Sequence, residues 1–476
     1  MAFSHDGDDV ASAQRDLTSH FPQPGRVEQD GDEIADLAVA TLRDVATQLR
    51  NRGDRAVALG ITNQRETTIA FDRDNGHLAH RALVWQDRRT VARCDELRDL
   101  GHEPLVRRTT GLIVDPYFSA TKMAWLLEGG HLDDATIPAL TTVDGWLLWW
   151  LSGNANGGVF ATEPSNASRT LLMDLASLDW SPAMTALFGV DRALLPTIRS
   201  STTSFATVSA SVVPELAGLP ITAILGDQQA ALFGQAGFEA GIVKATYGTG
   251  AFVMANVGGE IPEPVDGLLT TVAWDLGAYG STAYALEGSA FVAGAAIQWL
   301  RDELGFIDAA SELEPLAREV PDAGGVMVIP AFTGLGSPFW QPDARGAIVG
   351  LNQSTRRPHV ARALVEALAY QVRAMTDAFV ESGVSLRELR ADGGAAQMDL
   401  LLETQATASA TTVVRSASLE ATARGAATLA GLAAGFWRSL DELSERWRAE
   451  RFFAPMNRDG LDESYRSWRR AIDRGV

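Results

Sequence analysis

Lysine is almost missing from this chain. Among 476 residues only Lys122 and Lys244 carry an ammonium side chain, so arginine supplies nearly all the positive charge. A phosphate loop of the Gly-Lys-Ser/Thr type needs a lysine between a glycine-rich turn and a hydroxyl. Neither lysine has that setting, which excludes a P-loop nucleotidase. Cysteine is rarer still: Cys94 stands alone, so no internal disulfide can form, and a reducing compartment fits. Long apolar runs are absent; the stretch from Gly425 to Trp437 is too short to span a bilayer and reads as a buried helix. Met1 to Asp6 shows no basic region followed by an apolar one, hence no signal-peptide pattern. These absences predict a cytoplasmic protein without membrane insertion. The formal net charge of -20 weighs against nucleic-acid backbones and anionic membranes as partners. It leaves a nucleotide open, which needs only local positive groups and backbone N–H donors.

What is present suits a soluble globular protein, with 46% apolar and 21% charged residues. The length predicts two large domains. Residues 9 to 18 read as a short strand after the Asp6-Gly7-Asp8 turn, and 33 to 51 as a helix with Ile34, Leu37, Val45 and Leu49 on one side. Strands follow at 56 to 61 and 68 to 72, then 82 to 86 beyond the Asn75-Gly76 turn. His77 and His80 follow that turn, three apart, where a solvated hairpin fits better than a metal site. The stretch from Asp115 to Trp150 reads as mainly helical, and Ile221 to Leu225 as a strand. A second cycle starts near Gly241: strand Val243 to Tyr247, a Gly248-Thr249-Gly250 turn, and strand Phe252 to Ala255. Helix 358 to 382 opens on Pro358 and repeats apolar residues at helical spacing. Strand Leu389 to Ala391 runs into Gly393-Gly394 and helix 398 to 409, and the charged tail 438 to 476 reads as mostly helical. The repetition predicts two related α/β domains, 1–235 and 236–476.

Three segments carry chemistry. Arg65-Glu66 follows an apolar strand in Gly60-Ile61-Thr62-Asn63-Gln64-Arg65-Glu66-Thr67-Thr68, so donors and acceptors sit together at a strand end, suited to bracketing a small polyol. Asp227, in Gly226-Asp227-Gln228-Gln229, also follows a strand and is the candidate base for a hydroxyl proton. A helix N-cap is the alternative reading of that aspartate. Tyr247-Gly248-Thr249-Gly250 offers backbone amides and a hydroxyl at a tight turn, either a phosphate clamp or an ordinary hairpin turn. Taken singly, Trp85 and Tyr117 read as core residues.

In order and wording these segments, with Val84-Trp85-Gln86-Asp87-Arg88-Arg89 and Val114-Asp115-Pro116-Tyr117-Phe118, resemble the FGGY carbohydrate-kinase family, and within it the members that act on glycerol. The resemblance runs from about residue 9 to 470. It implies an α/β architecture of two actin-like, ribonuclease H-like ATPase domains with a cleft between them. It implies ATP, Mg2+ and glycerol as reactants, with ADP released, and leaves a homo-oligomer open. Residue by residue, it implies Asp227 as catalytic base, and Arg65, Glu66, Trp85, Tyr117, Asp227, Gln228 and Phe252 around the polyol. For the nucleotide it implies Thr249, Gly294, Gln298, Gly394 and the position of Met398, where the family usually has asparagine. No metal-ligating residue is assigned. Asp399 is not expected to replace that asparagine.

The family pattern opens with a strand and an Asp-x-Gly-Thr-Thr phosphate loop, and nothing like it precedes His5-Asp6-Gly7. The sequence reading therefore expects translation to start upstream of Met1. The competing expectations are a polyol-binding relative without turnover and a family kinase for another small polyol or ketose.

Overall fold

The computed structural model describes residues 1–418 and 420–475. Its architecture rests on sheets of different size. A seven-stranded sheet has the order Leu269–Asp275, Thr282–Ala290, Ala251–Gly258, Ile242–Tyr247, Glu388–Asp392, Val413–Ser416, Ala449–Phe453. A three-stranded sheet runs Thr202–Thr207, Pro220–Gly226, Leu59–Asn63, and a five-stranded one runs Ser19–His20, Glu28–Gln29, Ala82–Leu83, Thr68–Asp72, Pro138–Thr142.

Two parallel pairings decide where chemistry can happen. Strand Pro220–Gly226 lies parallel to Leu59–Asn63, with Gly226 opposite Asn63, so residues following both strands emerge at one end. In the large sheet, Ile242–Tyr247 lies parallel to Glu388–Asp392, with Thr246 opposite Asp392, so the Gly248-Thr249-Gly250 turn and Gly393-Gly394 emerge together. Carboxyl ends of parallel strands are where open α/β sheets present ligand groups.

Helices flank these sheets. Helix Gly31–Arg52 starts where Asp30 accepts from the N–H groups of Asp32 and Glu33 and stops at left-handed Gly53, matching the expected span within two residues. Helix Arg357–Glu381 has Pro358 in its first turn and is buried along most of its length. Helix Ala421–Ala433 lies across helix Asp227–Gly234 in very close contact. A Cβ on Gly425 would lie 1.8 Å from the Ala230 carbonyl oxygen, and one on Gly234 would lie 2.0 Å from that of Ala421. Only glycine permits that approach. The late helix thus packs against elements from before residue 235, so the seam is built from both halves of the sequence. Leu269, Val272 and Tyr284 add to it by packing into one apolar cluster with Leu112, Val114 and Phe118.

Four expectations need correction. The 9 to 18 stretch forms only the short strand Asp9–Ala11, paired with Ala2–Phe3. Strand 82 to 86 contracts to Ala82–Leu83. Within the supposedly helical Asp115 to Trp150, strand Pro138–Thr142 pairs along Thr68–Asp72 before helix Val143–Leu151 begins. Threonines Thr141 and Thr142 suit that pleated, buried setting. The strand expected at 56 to 61 starts and ends later, as Leu59–Asn63, whereas the charged tail is mostly helical as expected, in Leu440–Arg446 and Asp459–Asp473, with the edge strand Ala449–Phe453 between them. Beside strand Leu59–Asn63, the outer strand of its sheet, runs an apolar groove of about 590 Å³ between helices Gly31–Arg52 and Ala421–Ala433.

Candidate active site

The turn after strand Leu59–Asn63 is strained. Glu66 has φ 60°, and the Thr67 N–H donates to the Arg65 carbonyl at 2.7 Å, closing a γ-turn about a non-glycine residue. Such a conformation costs about 1–3 kcal/mol and persists only where surroundings enforce it. Here a charge network does so. Arg65 and Glu66 are each only 2% exposed. Arg65 grips Glu287 through both terminal nitrogens, Nη1–Oε2 at 2.6 Å and Nη2–Oε1 at 3.0 Å. Its Nη1 also donates to Gln229 Oε1 at 3.1 Å, and its Nε lies 3.0 Å from Asp227 Oδ1. Arg169, fully buried, donates from Nε to Glu66 Oε1 at 2.7 Å and from Nη2 to Glu287 Oε1 at 3.0 Å.

Two guanidinium groups therefore share two buried carboxylates, with Asp227 as a third at the rim. Burial alone would raise the Glu287 pKa, but Arg169 and Arg65 hold it down to about 2. For Glu66 burial wins: its pKa goes up, opposed by Arg65 and Arg169 and assisted by the negative charge of Glu287. Buried ion pairs of this kind add little net stability, but losing one partner leaves an uncompensated charge.

Around this network stand three aromatic rings. Trp85 meets Tyr117 edge to face at 5.6 Å and Phe252 at 6.4 Å. The Arg169 guanidinium lies over Phe118 at 5.2 Å and Tyr117 at 5.7 Å. Asp227 opens helix Asp227–Gly234, with Gly226 as the cap residue, and its Oδ1 accepts from the Gln228 N–H at 2.7 Å. Its side chain is 32% exposed, and Gln228, Trp85, Tyr117 and Phe252 are likewise half-buried. The fold thus gathers Arg65, Glu66, Trp85, Tyr117, Asp227, Gln228 and Phe252 into one connected group. A small hydroxylated molecule would meet charged groups on one side and ring faces on the other.

The second cluster lies at the matching end of the large sheet. In its turn the Gly248 N–H donates to Gly250 O at 2.9 Å. The turn is stitched to the start of helix Gly294–Asp302: Gly294 N–H donates to Gly248 O at 2.9 Å, and Ala293 N–H to Thr249 O at 2.8 Å. The side chains of Thr249 and Gln298 are exposed. Gly393 takes φ 88°, and a Cβ there would fall 2.6 Å from the Tyr247 carbonyl oxygen, so the Gly393-Gly394 corner is pressed against the turn. At Gly394 nothing lies within 4 Å of the place a Cβ would take. Met398 differs from its neighbours: it is 9% exposed and packs in the apolar core with Leu400 and Val413, away from the open surface. Asp399 is engaged by Arg415 Nη1 at 2.8 Å and by Arg451.

Among the described residues no group of three or more His, Cys, Asp or Glu side chains is arranged to hold a metal ion. His80 instead meets the rings of Trp125 and His131. Sequence reasoning missed three residues that bind the site together: Arg169, Glu287 and Lys244. A signal existed for two of them. Lys244 and Glu287 are lone charges within apolar strands, where a charge requires a partner. Arg169 had none, since its loop sequence is unremarkable in composition.

Two α/β domains with a polar cluster at their seam fit the architecture of actin-like ATPases and sugar kinases. Residues 1–234 match the FGGY family of carbohydrate kinases, N-terminal domain, and residues 243–434 match its C-terminal domain. The chain belongs to the FGGY family of carbohydrate kinases. It is 47% identical to the glycerol kinase of Dechloromonas aromatica (strain RCB), over 100% of this chain and 95% of that protein. It is 44% identical to the glycerol kinase of Carboxydothermus hydrogenoformans (strain ATCC BAA-161 / DSM 6008 / Z-2901), with the same coverage, 100% and 95%. Among solved structures, Plasmodium falciparum glycerol kinase with ADP superposes with a TM-score of 0.92 at 32% identity, covering 100% of this chain and 95% of that one. The xylulose kinase from Rhodospirillum rubrum shares the fold, with a TM-score of 0.86 at 22% identity over 98% and 93% of the two chains.

Proposed function

We propose that this chain transfers the terminal phosphoryl group of ATP to a terminal hydroxyl of glycerol, giving sn-glycerol 3-phosphate and ADP. The observation that carries the reading is the Arg65–Asp227 contact at 3.0 Å in the group that also holds the Trp85, Tyr117 and Phe252 rings. It is supported by the full-length similarity to glycerol kinases. Asp227 is the base. Its Oδ1 is turned to Arg65 and to the Gln228 N–H, which leaves Oδ2 for the attacking hydroxyl. Such a base contributes about 10²–10⁴-fold to rate. Arg65 and Glu66 orient the other hydroxyls, Gln228 adds a hydrogen bond, and Trp85, Tyr117 and Phe252 cover the carbon edge.

The nucleotide side is the Gly248-Thr249-Gly250 turn with Gly294, Gln298 and Gly394. Gly394 supports this placement, because its own packing leaves room for a side chain; a close-lying ligand gives glycine a purpose there. Met398 would contribute at most its backbone. Mg2+, when bound with the nucleotide, would neutralise charge on the phosphates. On this reading residues 1–235 form the polyol-binding domain and 236–476 the nucleotide-binding domain, with Phe252 and Glu287 reaching across the seam. A single cysteine, buried and unpaired, suits the cytoplasm.

The test is ADP release by the purified chain with ATP, Mg2+ and a panel of glycerol, dihydroxyacetone, xylulose and gluconate, with the product identified by phosphorus NMR. Glycerol-dependent release of sn-glycerol 3-phosphate supports the reading. Preference for a ketose or an aldonate would replace the substrate, and glycerol binding without release would make the chain a polyol binder.

A further inference from the structure

The chain has two lysines, and both are fully buried against the back of the candidate polyol pocket. Lys244 lies in strand Ile242–Tyr247 between Val243 and Ala245. Its Nζ donates to the Gln228 side-chain oxygen, to Thr246 Oγ1 at 3.0 Å and to the Phe252 carbonyl at 3.3 Å. An ammonium has three donors and no acceptor, so these three oxygens satisfy it completely. Gln228 belongs to a helix before the domain boundary and Phe252 to a strand after it, so one atom ties both walls. Lys122, in helix Ser119–Glu128, donates from Nζ to the carbonyls of Pro116 at 3.1 Å and Tyr117 at 2.8 Å. It fixes the loop that carries the Tyr117 ring.

Burying an ammonium is costly, and an apolar side chain would fill either site more cheaply if packing were all that mattered. We propose that Lys244 and Lys122 are positioning residues of the polyol pocket, each holding a wall of the site in place without touching the substrate. The inference rests on the glycerol reading above. It also predicts a pH response. Burial pulls both ammonium groups down to about 8. Facing Lys244 are Asp392, Glu287 and Asp227, which favour its charge, and Arg65, which opposes it. Facing Lys122 are Glu66, Asp87, Asp115 and Cys94. A neutral amine keeps two donors, so one of the three Lys244 contacts is lost on deprotonation. Glycerol binding weakens as pH rises through the folded pKa, and by linkage bound glycerol raises that pKa.

With only two lysines, lysine labelled with ¹³C at Cε gives two assignable signals in the full chain, which K122M and K244M identify. The expected result is a glycerol-induced upward shift in the titration of the Lys244 signal. K244M should raise the glycerol KM about tenfold, the scale of one charge-assisted hydrogen bond, with the ATP KM changed less than about twofold. The alkaline rise in glycerol KM should vanish in that variant. Glycerol turnover with an unmoved Lys244 titration and a flat glycerol KM would overturn the inference. K122M alone assigns both signals by elimination, so misfolding of K244M leaves the titration test of the unsubstituted chain standing. No glycerol-dependent ADP release and no glycerol effect on either signal would instead overturn the glycerol reading, and the positioning role with it.

Discussion

Arg65 and Asp227, far apart in sequence, meet with Nε and Oδ1 3.0 Å apart at the ends of two parallel strands. The same guanidinium is clamped by Glu287 at 2.6 and 3.0 Å, so the group facing the base cannot swing freely. That rigidity is what a site orienting a small, flexible polyol requires.

Asp227→Asn is expected to lower kcat by about 10²–10⁴-fold while changing the glycerol dissociation constant only slightly. Rapid-quench turnover and calorimetric titration with glycerol check the two halves. Unchanged turnover would remove Asp227 as the base.

Glu287→Gln leaves Arg65 and Arg169 buried with half of their shared countercharge. The loss of such a partner costs about 3–5 kcal/mol of stability. A lower urea midpoint should accompany a raised glycerol KM. An unchanged midpoint would mean that the clamp contributes nothing to the fold.

Acid should loosen the same network in a defined window. The Glu287 carboxyl is held at about 2 in the fold, below its ordinary 4.5. A depressed carboxylate contributes stability that is complete above the unfolded value and lost as pH falls from 4.5 towards 2. Urea midpoints measured through this range should fall less steeply for Glu287→Gln than for the unsubstituted chain.

The neighbouring glycines should respond oppositely. Gly393→Ala forces φ 88° and a 2.6 Å approach to Tyr247 O on a side chain, so stability should drop by about 1–3 kcal/mol. Gly394→Ala meets nothing within 4 Å, so its melting temperature should hold while the ATP KM rises. An unaltered ATP KM in Gly394→Ala would place the nucleotide elsewhere.

Much was legible in the sequence because it is local. Arg65-Glu66, Gly226-Asp227 and Gly248-Thr249-Gly250 are strand-end motifs, and a strand followed by a turn places its next side chains at a predictable edge. Helix Gly31–Arg52 was legible from its apolar spacing, and helix Arg357–Glu381 from Pro358 in its first turn and the same periodicity. Strand Pro138–Thr142 escaped notice because its pairing with Thr68–Asp72 is remote, and pairing overrides a weak local preference. The nucleotide role at Met398 came from the family resemblance alone, and what the fold adds is that its side chain packs in the apolar core.

By itself the sequence determined the two-domain α/β plan and the motif-borne residues, since periodicity and turn chemistry act over a few neighbours. The tertiary structure alone decided that Glu287 would clamp Arg65 and Arg169, and that Lys244 would join Gln228 to Phe252. A buried charge declares in sequence that it needs a partner, but only the folded chain supplies the partner from another strand or loop.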